Sequence, residues 1–276
     1  MNIGVNNTKE TVMEYHFDHE KLKAYQMSIQ FIAWTTPLID KLEKSIAVRD
    51  QLDRASTSIP RNIAEGNAKF SMKERCRYLD TGYGSALECA AALDVLVAKK
   101  QITSSDARGG KLTLCQIVAL IIGLRNYAQS RIAEEPAPYG LEMKKFLFDH
   151  EKLEAYQQAI RFVEWVTPLI DQLKVSKTVL ERIDRCSTSV PLNIAEGNGK
   201  FSMKDRSRFL DIANNAAVDC AATLDVLVAQ KRLRADEIVE GKLILRQVVS
   251  LVIGLRNDAQ ERISNESVKY GLEEKE

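Results

Sequence analysis

A chain of 276 residues that is 45% hydrophobic and 28% charged, with only 13 glycines and 6 prolines, has the make-up of a soluble globular protein and not of a disordered or fibrous one. Its net charge of +1 lowers the expectation of tight non-specific binding to nucleic acid, and no apolar run approaches the roughly 18 residues of a membrane span. The five cysteines, Cys76, Cys89, Cys115, Cys186 and Cys220, contain no CxxC pair, so neither zinc nor redox chemistry is signalled and buried thiols are expected.

Residues 1–16 lack a charged segment followed by an apolar one, so nothing marks the chain for secretion and a cytoplasmic bacterial-type protein is expected. From Phe17 the dominant feature begins: Phe17 to Leu141 recur as Phe148 to Leu272 at a constant offset of 131, without insertion or deletion. About 72 of the 125 aligned positions are identical. The domain layout is therefore an extension at 1–16, copy one at 17–134, a short stiff linker at 135–147 rich in Pro and Gly, and copy two at 148–272. Over the repeated stretches 17–141 and 148–272 there are 17 Lys and Arg against 14 Asp and Glu, and 18 against 18, so neither copy is strongly basic, although a local basic patch is compatible with both counts.

In copy one, Leu22, Tyr25, Ile29, Ile32, Ile39 and Leu42 recur at three- and four-residue steps and predict a helix over about 19–44, with Asp18 as N-cap and a kink at Pro37. A second helix is expected over about 48–65, interrupted at Pro60 and ended by Gly66 as the residue after its C-cap. The third opens with a capping box, Ser71 to Glu74, and runs to about residue 100. Its stripe of Leu79, Gly82, Ala86, Ala90, Leu93 and Val97 is small in the middle, which predicts close approach of a neighbouring helix. The fourth, over about 105–133, is expected to bury Leu112, Ile117, Leu120, Ile121, Leu124 and Ile132, with Gly123 marking another close contact. Copy two repeats the pattern. Four long helices with short connections predict an all-α protein of two tandem antiparallel up-and-down four-helix bundles.

Catalytic chemistry has little to work with. The only histidines are His16, His19 and His150, the last two matched and expected to face solvent in the first turn of a helix. There is no phosphate-binding glycine loop, HExxH or GxSxG motif, so no catalytic residue, metal site or cofactor is expected. The run Ser56-Thr57-Ser58 has no base within its motif, and hydrogen bonding beside Pro60 explains it. Polar residues are nevertheless dense in DRASTSIPRNIAEGN and its twin DRCSTSVPLNIAEGN. They read either as a buried network, with Ser58 and Asn62 satisfying backbone freed by Pro60 and Arg54 paired to a carboxylate, or as a partner surface.

Beside them lies a basic group: Arg54, Arg61, Lys69, Lys73, Arg75 and Arg77 in copy one, and Arg185, Lys200, Lys204, Arg206 and Arg208 in copy two, where Leu192 replaces Arg61. Phe70 and Phe201 sit among these charges, so bases could stack while Lys and Arg hold phosphates; the alternative is a solvated turn with Phe in the core.

At these residues the chain resembles the bacterial four-helix-bundle family that includes the proteins encoded in 23S ribosomal RNA intervening sequences. The stretches that carry the resemblance are LKAYQMSIQFIAW, RASTSIPRNIAEGN and RYLDTGYGSALECAAALDVL, with LEAYQQAIRFVEW, RCSTSVPLNIAEGN and RFLDIANNAAVDCAATLDVL in copy two. The resemblance implies a bundle fold and no enzymatic activity. Similar proteins form homopentameric barrels, and relatives in diversity-generating retroelements are accessory proteins that bind nucleic acid and a reverse transcriptase. It therefore implies a non-enzymatic accessory or scaffold subunit that binds RNA or DNA, with a reverse transcriptase or another protein as partner, self-associating bundles and no membrane. The alternative is a protein-only oligomerisation or recruitment module. A ring of five bundles cannot be built from whole two-bundle chains, because five is odd.

Overall fold

The computed structural model describes residues 17–43, 47–132, 147–173 and 175–269. The expected N-terminal extension and nearly all of the linker lie outside them. Within the described residues there are eight α-helices and no strand: α1 (Lys23–Lys41), α2 (Ala47–Asn67), α3 (Met72–Ala98), α4 (Ser104–Ser130), α5 (Glu154–Gln172), α6 (Lys177–Asn198), α7 (Met203–Ala229) and α8 (Val239–Lys269). In each unit every helix packs on the next and the fourth returns to the first, α1 on α4 and α5 on α8, which closes two four-helix bundles.

Local details depart from expectation for physical reasons. Asp18 does not cap α1; it opens a 3₁₀ turn, Asp18–Lys21, and the α-helix begins after Leu22. Helical assignment runs unbroken across Pro37, Pro60, Pro168 and Pro191. Ser71 caps α3 by accepting a 3.4 Å hydrogen bond from the Glu74 amide, whereas the full reciprocal box occurs at Thr103 and Asp106. Gly66 does not end α2 but lies inside it, where an added Cβ would stand 3.1 Å from the Cβ of Tyr78. Its twin Gly197 likewise lies inside α6, against Phe209. These glycines permit two helices to touch, and a left-handed cap is not involved. Gly82 does the same with α2, as the small-residue stripe of α3 predicts.

Gly123 and Gly254 are different. Nothing lies within 4 Å of an added Cβ at either, so the expected close contact is absent there. In α4 the close contact falls one stretch earlier, at Gly110 under the ring of Trp34, and in α8 at Gly241 under Trp165. The buried face of α4 is accordingly Ala107, Gly110, Leu114, Ile117, Ile121 and Ala128; Leu112 and Ile132 are exposed.

The first helix carries two apolar stripes. The one that enters its own bundle in unit one is Ala24, Met27, Phe31, Thr35 and Ile39, all buried. The other contains Tyr25, Ile29 and Ile32 and is largely open, with Ile29 44% exposed. In unit two the same second stripe is closed, with Tyr156 and Val163 buried, because α3 of unit one packs against α5 and α6. The two third helices are equally long, yet α3 has 14 buried residues and α7 has 9. That difference is the face that α3 alone has covered. By length and composition alone α4 and α7 are long and apolar enough to cross a membrane. In this fold α4 packs on α1 and α3, and α7 on α6 and α8.

The glycine environments make a direct test. Gly123→Ala should raise stability by about 0.5–1 kcal/mol through helix propensity, while Gly110→Ala, which drives a methyl into Trp34, should lower it; chemical denaturation of both variants compares the signs.

Candidate nucleic-acid interface and the joint between units

The α2–α3 corner is built by the end of α2 at Asn67, a three-residue turn and the Ser71 cap. Within α2, Asn62 Nδ2 donates to the Ser58 carbonyl at 2.8 Å and to Ser58 Oγ at 3.0 Å, and Ser85 Oγ of α3 donates to Ser58 Oγ at 2.8 Å. Asn193 and Ser189 reproduce the first two bonds with the same lengths. Ser56 and Thr57 donate to the Asp53 carbonyl at 3.0 Å. The polar core of the motif is thus a hydrogen-bonded brace beside Pro60.

The basic residues divide between the corners and the joint. Arg54, Arg61, Lys73 and Arg77 are exposed. Lys69 is half-buried with its ammonium 4.9 Å from the centre of the Tyr78 ring, and Arg75 donates to Asn67 Oδ1 at 2.8 Å. Phe70 is fully exposed. In unit two Arg185, Lys204 and Arg208 are exposed, and Arg208 lies 4.5 Å from the centre of the Phe209 ring. Arg206 is half-buried; burial lowers its pKa, and its Nε lacks a hydrogen-bond acceptor among the described residues. Lys200 and Phe201 point elsewhere. Lys200 pairs with Glu196 at 2.9 Å, and Phe201 lies under the guanidinium of Arg125, 3.7 Å from ring centre to Cζ, and beside Tyr83. Of the eleven cations, Lys200 alone is ion-paired among the described residues.

The joint itself was not foreseen from the sequence. Gly84 and Gly199 face it: a Cβ at Gly84 would meet the Lys200 ammonium at 2.7 Å, and one at Gly199 would collide with Leu87. Asp184 of unit two accepts the first amide of α2, Ala47 N, at 2.8 Å and pairs with Lys99 at the end of α3, so one carboxylate ties down two helix ends. On the opposite rim Lys111 bridges Asp94, at 2.8 Å, and Glu151, while the Tyr156 hydroxyl donates to Asp94 at 2.8 Å.

His150 is not solvent-facing. It is fully buried, its ring 5.6 Å from Phe148 and 4.7 Å from Tyr156, and neither ring nitrogen has a partner among the described residues. Burial, helped by the Lys111 charge, pushes its pKa down to about 3, so it is neutral. Ligating atoms of Asp94, His150 and Glu151 come within 4.8 Å of one another, with the Lys111 ammonium bonded to both carboxylates.

Between the units lies a polar cavity of about 430 Å³ lined by Gln51, Arg54, Ser58, Ser85 and Glu88 from one side and Leu192, Asn193 and Glu196 from the other. Burial, and then the like charge of Glu196, raises Glu88 from 4.5 to about 7, against the pull of Arg54 and Lys200. Another contact hidden in the sequence is that of Cys186 and Cys220, 34 residues apart, whose sulfurs lie 2.8 Å apart as free thiols.

Two helical bundles in tandem, each with a polar brace at the second-helix proline, define the class. The model of the 23S rRNA-intervening sequence protein family matches twice, over residues 20–123 and 151–254, and the chain belongs to that family as a tandem pair. No curated protein and no solved structure gives a match.

The Glu88 environment sets a pH dependence. Because its folded pKa lies above the unfolded value, the folded state holds the proton longer, and its contribution to stability declines as pH rises from about 4.5 to about 7. Glu88→Gln should remove that decline. Relative to wild type it should be unchanged near pH 4 and more stable by about 1–3 kcal/mol at pH 8, read by urea unfolding at both pH values.

Proposed function

We propose that the protein is a non-enzymatic nucleic-acid-binding accessory or scaffold subunit of the cytoplasm, serving a reverse transcriptase or another RNA-handling enzyme. The observation that carries this reading is the set of exposed cations at the α2–α3 and α6–α7 corners, Lys73, Arg77, Lys204 and Arg208 among them, which have no carboxylate partner among the described residues. An unpaired exposed cation is free to replace a counterion at a phosphate, and that exchange drives sequence-independent binding. The near-neutral net charge limits the reading to a local track.

A protein-only assembly module is the second reading, favoured by how much apolar surface the joint between units consumes. A labelled single-stranded RNA separates the two. Charge reversal at Lys73, Arg77, Lys204 and Arg208 together should weaken binding at least about tenfold and flatten its dependence on salt while leaving the helical circular dichroism unchanged. Equal binding by wild type and variant, or no RNA shift at low salt, rejects the nucleic-acid reading in favour of the second.

A further inference from the structure

Charge and burial are out of balance at one rim of the joint, where Asp94 of α3 and Lys111 of α4 meet the 3₁₀ turn Asp149–Lys152 ahead of α5. Two carboxylates, Asp94 and Glu151, share the single ammonium of Lys111, so one negative charge is left over where the Glu151 side chain is only 11% exposed. The other charges nearby face outward: Arg108, which lines the adjoining cavity, is exposed, and Lys152 pairs with Asp149. His150 completes the cluster. It is fully buried, and neither ring nitrogen has a hydrogen-bond partner among the described residues, which is a costly state for a polar group. Ligating atoms of Asp94, His150 and Glu151 all lie within 4.8 Å of one another.

Each carboxylate has one oxygen already fixed from outside the cluster. Glu151 accepts the backbone amides of Leu147 and Phe148 on Oε2, at 2.9 and 3.3 Å, which leaves Oε1 to Lys111. Asp94 accepts the Tyr156 hydroxyl on Oδ2 at 2.8 Å, and its Oδ1 takes the Lys111 ammonium at 2.8 Å. The rings of Phe148 and Tyr156 hold the imidazole from two sides. Outer donors that fix the far oxygen of a carboxylate, with an apolar wall around an imidazole, are what orient the ligands of a metal ion. Lys111 stands where the ion would stand. A cavity of about 230 Å³ lined by Asp94, Lys111 and Glu151 gives the ammonium room to withdraw and an ion a way in.

We propose that Asp94, His150 and Glu151 bind a divalent first-row transition-metal ion, of which zinc fits best, with Lys111 displaced into the cavity. A dication balances the two carboxylates that one ammonium cannot. An imidazole nitrogen beside two carboxylate oxygens suits zinc better than magnesium or calcium, which are held by oxygen alone. Zinc bonds of about 2.0–2.2 Å place ligand atoms about 3.3 Å apart, so the cluster closes by side-chain movements of at most about 1.5 Å. The fourth position faces the cavity and takes water. Because Asp94 belongs to unit one and the other two ligands to unit two, the ion ties the units together. The twin residues His19, Glu20 and Asp225 form no such cluster among the described residues. The site uses none of the corner cations and is independent of the RNA reading.

The test titrates zinc into the full chain, freed of metal by a chelator, in a calorimeter, with circular dichroism as the check that every variant keeps its helices. Wild type should take up a single zinc ion per chain. His150→Gln and Glu151→Gln should each weaken uptake by about a hundredfold, and His19→Gln should leave it unchanged. Lys111→Met, which removes the competing cation, should tighten it at least about tenfold. Cobalt loaded into wild type needs no variant to fold, and it should give the strong visible absorption of a four-coordinate site. No stoichiometric uptake, equal uptake by the His150 and Glu151 variants, loss in the His19 variant, a Lys111 variant no tighter than wild type, or the weak spectrum of octahedral cobalt each overturns the proposal.

Discussion

A helix with apolar residues on two faces must have both faces covered. α3 imposes that demand: its inner face fills unit one, and its outer face, with Leu87, Ala91 and Val95, needs a second surface. Unit two supplies it through Tyr156, Val163, Leu192 and Ala195. Burying Leu87 and Val95 stabilises the joint by about 1.5–3 kcal/mol for each side chain. The ion pairs of Asp184 and Lys111 at the rim recover little beyond their own desolvation. Apolar contact therefore holds the units together, and the charged rim fixes the register in which they meet.

Helix number, order and approximate ends were legible because helical periodicity survives in both copies. The assignment of faces was not. Tyr25, Ile29 and Ile32 follow the same spacing as Ala24, Met27 and Phe31, and spacing alone cannot say which stripe meets the bundle and which meets the neighbouring unit. Glycine was ambiguous for a similar reason. Gly66, Gly110 and Gly123 are alike on paper, but one touches α3, one lies under a tryptophan and one faces open space. His150 became buried only because another unit lies over it, and nothing near it in sequence records that. The Ser58–Asn62 brace was readable, since a proline inside a helix calls for nearby side chains that can bond its neighbours.

The basic group shows how context divides two nearly identical copies. Lys69 and Phe70 differ from Lys200 and Phe201 in no covalent respect. Yet Phe201 is seated beneath Arg125 and Lys200 is closed against Glu196, while Phe70 stands in solvent. Duplication followed by docking has made the corners unequal. The corner of unit one therefore presents Phe70 to solvent, while in unit two the exposed cations are Arg185 on α6 and Lys204 and Arg208 on α7.

The covered outer face of α3 also has a history in time. Synthesis completes α3 and α4 well before α6 exists, since about 65 residues separate Ile132 from the end of α6. At 5–20 residues per second that interval is roughly 3–13 s. Throughout it unit one can close its own bundle, but Leu87, Ala91 and Val95 face water with no intramolecular cover. The emerging chain thus passes through a folded half-molecule with an exposed apolar face, and speed of translation through unit two sets how long a chaperone, or another nascent chain, has access to it.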